Sequence, residues 1–337
     1  MTELSLAPGT YTGIGSLPGT DPLEAARIVL GELPLLPHLP ELPARGVGAD
    51  MIGRSCGLLV DLAVEVVPSG WRIAAHPGRD HRRAVEALRR DLDAFEEALE
   101  TTGSKPEVLK LQATGPWTLC AGVELQRGHR VLTDHGAVRE FAASLAEGLS
   151  QHVAEVSRRT GARIVLQLDE PSLPGVLAGR LPTASGYGTV RAVSEAAART
   201  LLRSVIDSLD VPVVIHCCAP KPPITLLREA GAAGVAFDLS LLGDSSTAWD
   251  QVGEAVEADT TLFLGLVPST EPAESVTWKQ AAQPAIDLFG RLGFSGRTLA
   301  ERVVPTPACG LAAATPQWVR RSLSVLGDVA AAFAESD

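Results

Sequence analysis

Short runs of β-branched and apolar residues alternate with long stretches rich in Ala, Leu, Arg and Glu over most of the chain. Few folds accommodate that rhythm. Six runs read as strands: residues 110–114 (KLQAT), 163–169 (RIVLQLD), 211–217 (VPVVIHC), 234–239 (GVAFDL), 261–267 (TLFLGLV) and 302–306 (RVVPT). Weaker candidates lie at 10–16 and near 47–52. The runs are nearly continuous in apolar residues, as strands covered on both faces by helices must be. Between them, 81–101, 137–160, 190–208, 223–230, 249–258, 280–292 and 315–335 carry helical periodicity. Eight strands alternating with helices predict an α/β fold of the (β/α)8 TIM-barrel type, with an open doubly wound sheet as the alternative. The glycine-rich 13–19 (GIGSLPG) does not make a dinucleotide loop, because no strong strand precedes it and Pro18 falls where the helix should begin.

The composition narrows the class. With 45% hydrophobic and 20% charged residues among 337, the chain can bury a sizeable core and is not disordered. Its formal charge of −11 argues against nucleic acid or an anionic membrane as main partner. The N-terminal residues lack the basic and apolar regions of a signal peptide, and no apolar run reaches the roughly 18 residues of a membrane span. Five cysteines, an odd number, without an export signal read as reduced thiols in the cytoplasm, free for metal binding or catalysis. No repeat or linker divides the chain, so residues 1–337 are expected to form one barrel.

In such a barrel, active sites gather at the C-terminal ends of the strands. The reactive side chains at those ends are Ser16, Asp169 with Glu170, His216 with Cys217 and Cys218, Asp238, and Cys309 just beyond. His216 and Cys218 form the sharpest pair, because residues two apart on a strand share a side and can face one ion. Imidazole and thiolate suit tetrahedral Zn²⁺, and Cys309 and the Asp238 carboxylate complete a four-ligand set. The alternatives are buried cysteines acting as small hydrophobes and an Asp238 that caps the next helix. Of Asp169 and Glu170 only one can face the mouth. Trp117, in the turn after a strand, either walls a ligand pocket or packs.

Five segments carry a resemblance: IGSLPGTD, LQATGPWTL, LQLDEPSLP, VVIHCC and TPACGL, in that order. Together they resemble the catalytic C-terminal half of cobalamin-independent methionine synthase, from Thr12 to about Gln317. The resemblance implies a barrel whose zinc activates the thiol of homocysteine for methylation, with ligands on His216, Cys218, Asp238 and Cys309. It also implies that Ser16 and Asp169 hold the amino-acid part of homocysteine, Asp169 through the ammonium.

The departures carry their own expectations. The family's additional N-terminal barrel is absent here, and its usual Glu at the acidic ligand position is Asp238. Folate-using members carry a Glu after the second strand, where this chain reads GADMIGRS, and a His before a Pro-Ser pair after the seventh. Here that last stretch is Gly265-Leu266-Val267-Pro268-Ser269, without His. Protonating a departing folate nitrogen needs an acid, whereas transfer from a corrinoid does not. The expected donor is therefore methylcobalamin or a corrinoid protein rather than methyltetrahydrofolate. The competing readings are a metal-independent barrel related to the tetrapyrrole decarboxylases and a non-catalytic zinc-binding barrel.

Overall fold

In the computed structural model, which describes residues 4–183 and 186–335, the alternation becomes a curled parallel sheet wrapped in helices. The strands are β1 (Ala63–Val67), β2 (Gly70–Ala74), β3 (Val108–Thr114), β4 (Val123–Glu124), β5 (Arg163–Asp169), β6 (Val213–His216), β7 (Gly234–Asp238), β8 (Thr261–Val267) and β9 (Val303–Pro307). Six of them form the parallel sheet, in the order β3-β5-β6-β7-β8-β9. The hairpin β1-β2 and the short β4 form a separate small sheet that the sequence reading did not contain.

Helices Arg79–Thr102, His135–Thr160, Glu195–Ile206, Ser246–Glu257, Trp278–Leu292 and Pro316–Ala334 bury their apolar stripes in the larger hydrophobic core. Their starts are capped as local sequence dictates. Asp134 accepts from the amides of Gly136 and Ala137, Ser194 from Ala197, and Thr277 and Gln280 cap each other reciprocally. None of the helices among the described residues is long and apolar enough to cross a membrane.

The expected closed eight-strand barrel is realised as a half-barrel ladder of six strands, and two expectations change. Residues 47–52 are not a strand: they are a turn that enters the helix Met51–Cys56, capped by Asp50 through the Gly53 amide. Residues 10–16 make isolated contacts, not a ladder. The Thr12 amide donates to Pro305 O (3.2 Å), and Ser16 bridges to Glu41. Beside them runs an extended segment at 37–41. Lys110 N donates to Pro37 O (2.9 Å), Leu39 N to Lys110 O (3.0 Å) and Glu41 N to Gly15 O (3.1 Å). Pro37, Pro40 and Pro43 remove every third donor here, so no ladder can propagate.

Along each strand of the large sheet, alternate residues face the concave side. One buried layer there comprises Leu36, Val108, Val165, Val214, Ala236, Phe263 and Val304, with Leu4 and Leu6 packed against it. Two residues further on, the inward positions turn polar: Lys110 on β3, Gln167 on β5 and His216 on β6, all buried. The concave face is thus apolar where the strands begin and polar where they end. That gradient positions the site.

Candidate metal centre

β5 and β6 run parallel with Asp169 directly opposite His216. The His216 Nδ1 lies 2.7 Å from Asp169 Oδ1, which also accepts from Gln167 Nε2 at 2.8 Å. The other ring nitrogen, Nε2, is buried without a hydrogen-bond partner. Strand alternation sends Cys217 into the outer core, where burial raises its thiol pKa, and returns Cys218 to the concave side. Cys309 arrives from the turn after β9, held by Ala308 N to Val267 O and Leu311 N to Ser16 O, both 2.8 Å. Potential ligand atoms of His216, Cys218 and Cys309 all lie within 4.8 Å of one another, and the two sulfurs are 3.1 Å apart.

The two thiols share a proton unequally. The hydrogen bond from Cys218, reinforced by nearby His216, pulls the Cys309 pKa down to about 5, and Cys218 as donor is pushed up. Burial alone would depress the His216 pKa. The hydrogen bond to Asp169 and the contact with Cys309 outweigh it and hold the imidazole at about 9. These three donors fit a borderline-soft divalent metal on chemical grounds: an unpartnered buried imidazole nitrogen beside a thiolate and a thiol. In tetrahedral zinc, N and S ligands stand roughly 3.3–3.8 Å apart at ordinary bond lengths, and three protein ligands leave one position open.

The remaining candidates are placed differently. Asp238 ends β7, but among the described residues it is outside the close His–Cys–Cys group. Its Oδ1 accepts from Ser240 N (2.9 Å) and Ser240 Oγ (2.7 Å), capping the turn Leu239–Leu241. Ser16 is half-buried against the Cys309 loop: a Cβ on Gly310 would fall 2.1 Å from Ser16 Oγ, so glycine there leaves room for the hydroxyl as it stands. Trp117 is buried, and its indole Nε1 donates to Ala198 O at 3.1 Å. It lines an apolar groove of about 850 Å³ between the helices His135–Thr160 and Glu195–Ile206. Asp169 faces His216, while Glu170 turns the other way and accepts from Trp117 N, Thr118 N and Thr118 Oγ1. Cys56 and Cys120 are buried in the outer core.

Two features at the polar end were not singled out from the sequence. Lys110 is wholly buried yet hydrogen-bonded, and Glu41 ends the extended 37–41 segment. Burial raises the Glu41 carboxyl to about 7, against the opposing charges of Arg54 and Lys110. The signal for Lys110 was a lysine inside an otherwise apolar strand run. Glu41 sat between prolines that hid the strand.

A family profile described as "Cobalamin-independent synthase, Catalytic domain" matches residues 9–332. A B12-independent methionine synthase from Shewanella sp. W3-18-1, solved in complex with selenomethionine, superposes with a TM-score of 0.58 at 12% identity. That alignment covers 97% of this chain and 98% of the other. A methyltransferase from Methanosarcina mazei gives a TM-score of 0.56 at 15% identity, over 97% and 94% of the two chains. At these identities the likeness is one of fold. No curated protein matches the chain by sequence.

Proposed function

Since the chain belongs to the cobalamin-independent synthase catalytic-domain family, whose members are methionine synthase-like methyltransferases, we propose that it is a zinc-dependent S-methyltransferase that converts homocysteine to methionine. The observation that carries this reading is the unpartnered Nε2 of His216 facing a close pair of sulfurs at the polar end of the sheet. His216, Cys218 and Cys309 hold the ion. Asp238 remains a cap, and a metal held by these three residues would have room for the substrate sulfur. Zinc bound there supplies one thing, a lower thiol pKa than the ordinary value of about 8.5, so that the substrate is a thiolate at neutral pH.

The rest is done by the chain's own residues. Asp169 fixes the imidazole through Nδ1, as carboxylate partners of metal-binding histidines generally do. Its second oxygen carries no hydrogen bond among the described residues and, on this reading, takes the ammonium of the amino acid. Ser16, which lies against the Cys309 turn, serves the same amino-acid end on this reading. Alignment of sulfur and methyl group is the main contribution of such a site. The S–CH₃ bond forms as the bond between methyl and donor breaks, and the thiol proton leaves to solvent.

For this chemistry the six-stranded sheet, with segments 10–16 and 37–41 as two further staves, acts as one closed (β/α)8 barrel. Free, closely spaced thiols suit a reducing compartment such as the cytoplasm.

The donor we infer is methylcobalamin or a corrinoid protein, because the turn after β8, Val267-Pro268-Ser269, offers no histidine to protonate a departing nitrogen. A second reading has its own observation. Glu41, with a carboxyl raised to about 7, is an acid at the mouth that could serve methyltetrahydrofolate, the family's usual donor. A single-turnover assay with homocysteine and either donor decides. Methionine from methylcobalamin and none from methyltetrahydrofolate is expected. The reverse result selects the Glu41 reading, and no methionine from either refutes methyl transfer to this thiol.

A further inference from the structure

Lys110 has no solvent exposure, and no carboxylate lies within ion-pair distance of it among the described residues. Its Nζ donates to Gln167 Oε1 (2.7 Å), to Ile14 O (3.0 Å) and, more weakly, to Gln112 Oε1 (3.4 Å). Three oxygen acceptors match the three hydrogens of an ammonium, which has no lone pair to offer. The consequence passes outward. A donor-only group leaves the Gln167 amide one orientation, with oxygen toward Lys110 and NH₂ away. That NH₂ donates both hydrogens, to Ile14 O (2.9 Å) and Asp169 Oδ1 (2.8 Å). Asp169 Oδ1, already an acceptor from Gln167, accepts again from His216 Nδ1 at 2.7 Å. A carboxylate offers only acceptors, so once the ring gives up a proton to take an ion, the remaining proton stays on Nδ1 and the lone pair falls on Nε2, the atom without a partner.

We propose that Lys110 is a positioning residue for the metal centre: by fixing the amide of Gln167 with its NH₂ toward Asp169 it holds Asp169 Oδ1 where His216 Nδ1 donates, and so aims the imidazole lone pair at the ion. The inference rests on the zinc reading above. It differs from a packing role, because it depends on which atom donates rather than on how the space is filled. Ile14 O receives both Lys110 and Gln167, so the series also ties the first extended segment to β3 and β5.

The test uses the full chain and zinc itself. Affinity is measured by competition with a chromophoric chelator in the wild type, Lys110→Met and Gln167→Glu, with Co²⁺ absorption reporting ligand geometry. Gln167→Glu keeps size and the bond to Lys110 but offers Asp169 an acceptor where it had a donor. Both variants should bind zinc about tenfold more weakly or worse, the range typical of lost partners behind a ligand, with an altered Co²⁺ spectrum. Wild-type zinc affinity and an unchanged Co²⁺ spectrum in folded Gln167→Glu would overturn the proposal, even if Lys110→Met fails to fold. A wild type that takes up no zinc would overturn the metal reading itself, an outcome distinct from equal binding by all three proteins.

Discussion

Glu170 has no exposed surface, and its carboxyl accepts three hydrogen bonds at the start of the helix Pro116–Gly122. Burial raises its pKa to about 7 from the ordinary 4.5, although those three bonds pull the other way. Between these values the unfolded chain releases the proton and the native chain keeps it. Stability contributed by Glu170 is therefore present below about pH 4.5 and lost as pH rises toward 7. Thermal melts across this window should show the wild type losing stability relative to Glu170→Gln. Parallel curves would mean that Glu170 ionises as a solvated carboxyl. Among single residues, the pairing of His216 with Cys218 was legible, because period-two geometry follows from any strand. The role of Asp169 was not, because its register against His216 depends on how two strands 40-odd positions apart align. For Asp238 the sequence favoured a ligand, with a cap as the alternative, and the structure shows it capping Ser240.

At the scale of elements, the turn after β9 sets where Cys309 stands. A Cβ on Gly310 would lie 2.1 Å from Ser16 Oγ, so a substitution must turn that hydroxyl aside or move one of the two segments. Gly310→Ala is expected to displace Cys309 and weaken zinc binding by at least about tenfold, and Ser16→Gly in the same chain should restore most of it. Full zinc affinity in Gly310→Ala would show that the turn yields without moving the sulfur. The buried strands and long helices were legible because apolar runs and 3.6-residue periodicity extend over many residues. Short elements were not. The β1-β2 hairpin turns at Val67-Pro68-Ser69-Gly70 inside what read as a strand-to-helix connection, and the prolines of 37–43 disguised an extended segment.

For the whole molecule, the two segments between β3 and β9 determine whether the sheet behaves as a closed body. The hydrogen bonds of Thr12, Leu39 and Glu41 link them to each other and to the sheet edges, with N···O distances of 3.0–3.2 Å. Hydrogen exchange should find these amides protected nearly as well as those within β3 and β9. Exchange at loop rates would mean an open sheet with two loosely held edges. The polar end of that sheet gathers the elements of the proposed activity: an imidazole oriented by a carboxylate, two sulfurs, and a buried lysine behind them. Zinc-edge X-ray absorption on the purified full chain, before and after homocysteine, tests this arrangement most directly. One zinc per chain bound by one nitrogen and two sulfurs, gaining a third sulfur with the thiol, is the expected result. A chain that holds no zinc, as a metal-independent decarboxylase would, or a zinc spectrum blind to homocysteine, as in a non-catalytic site, would contradict it.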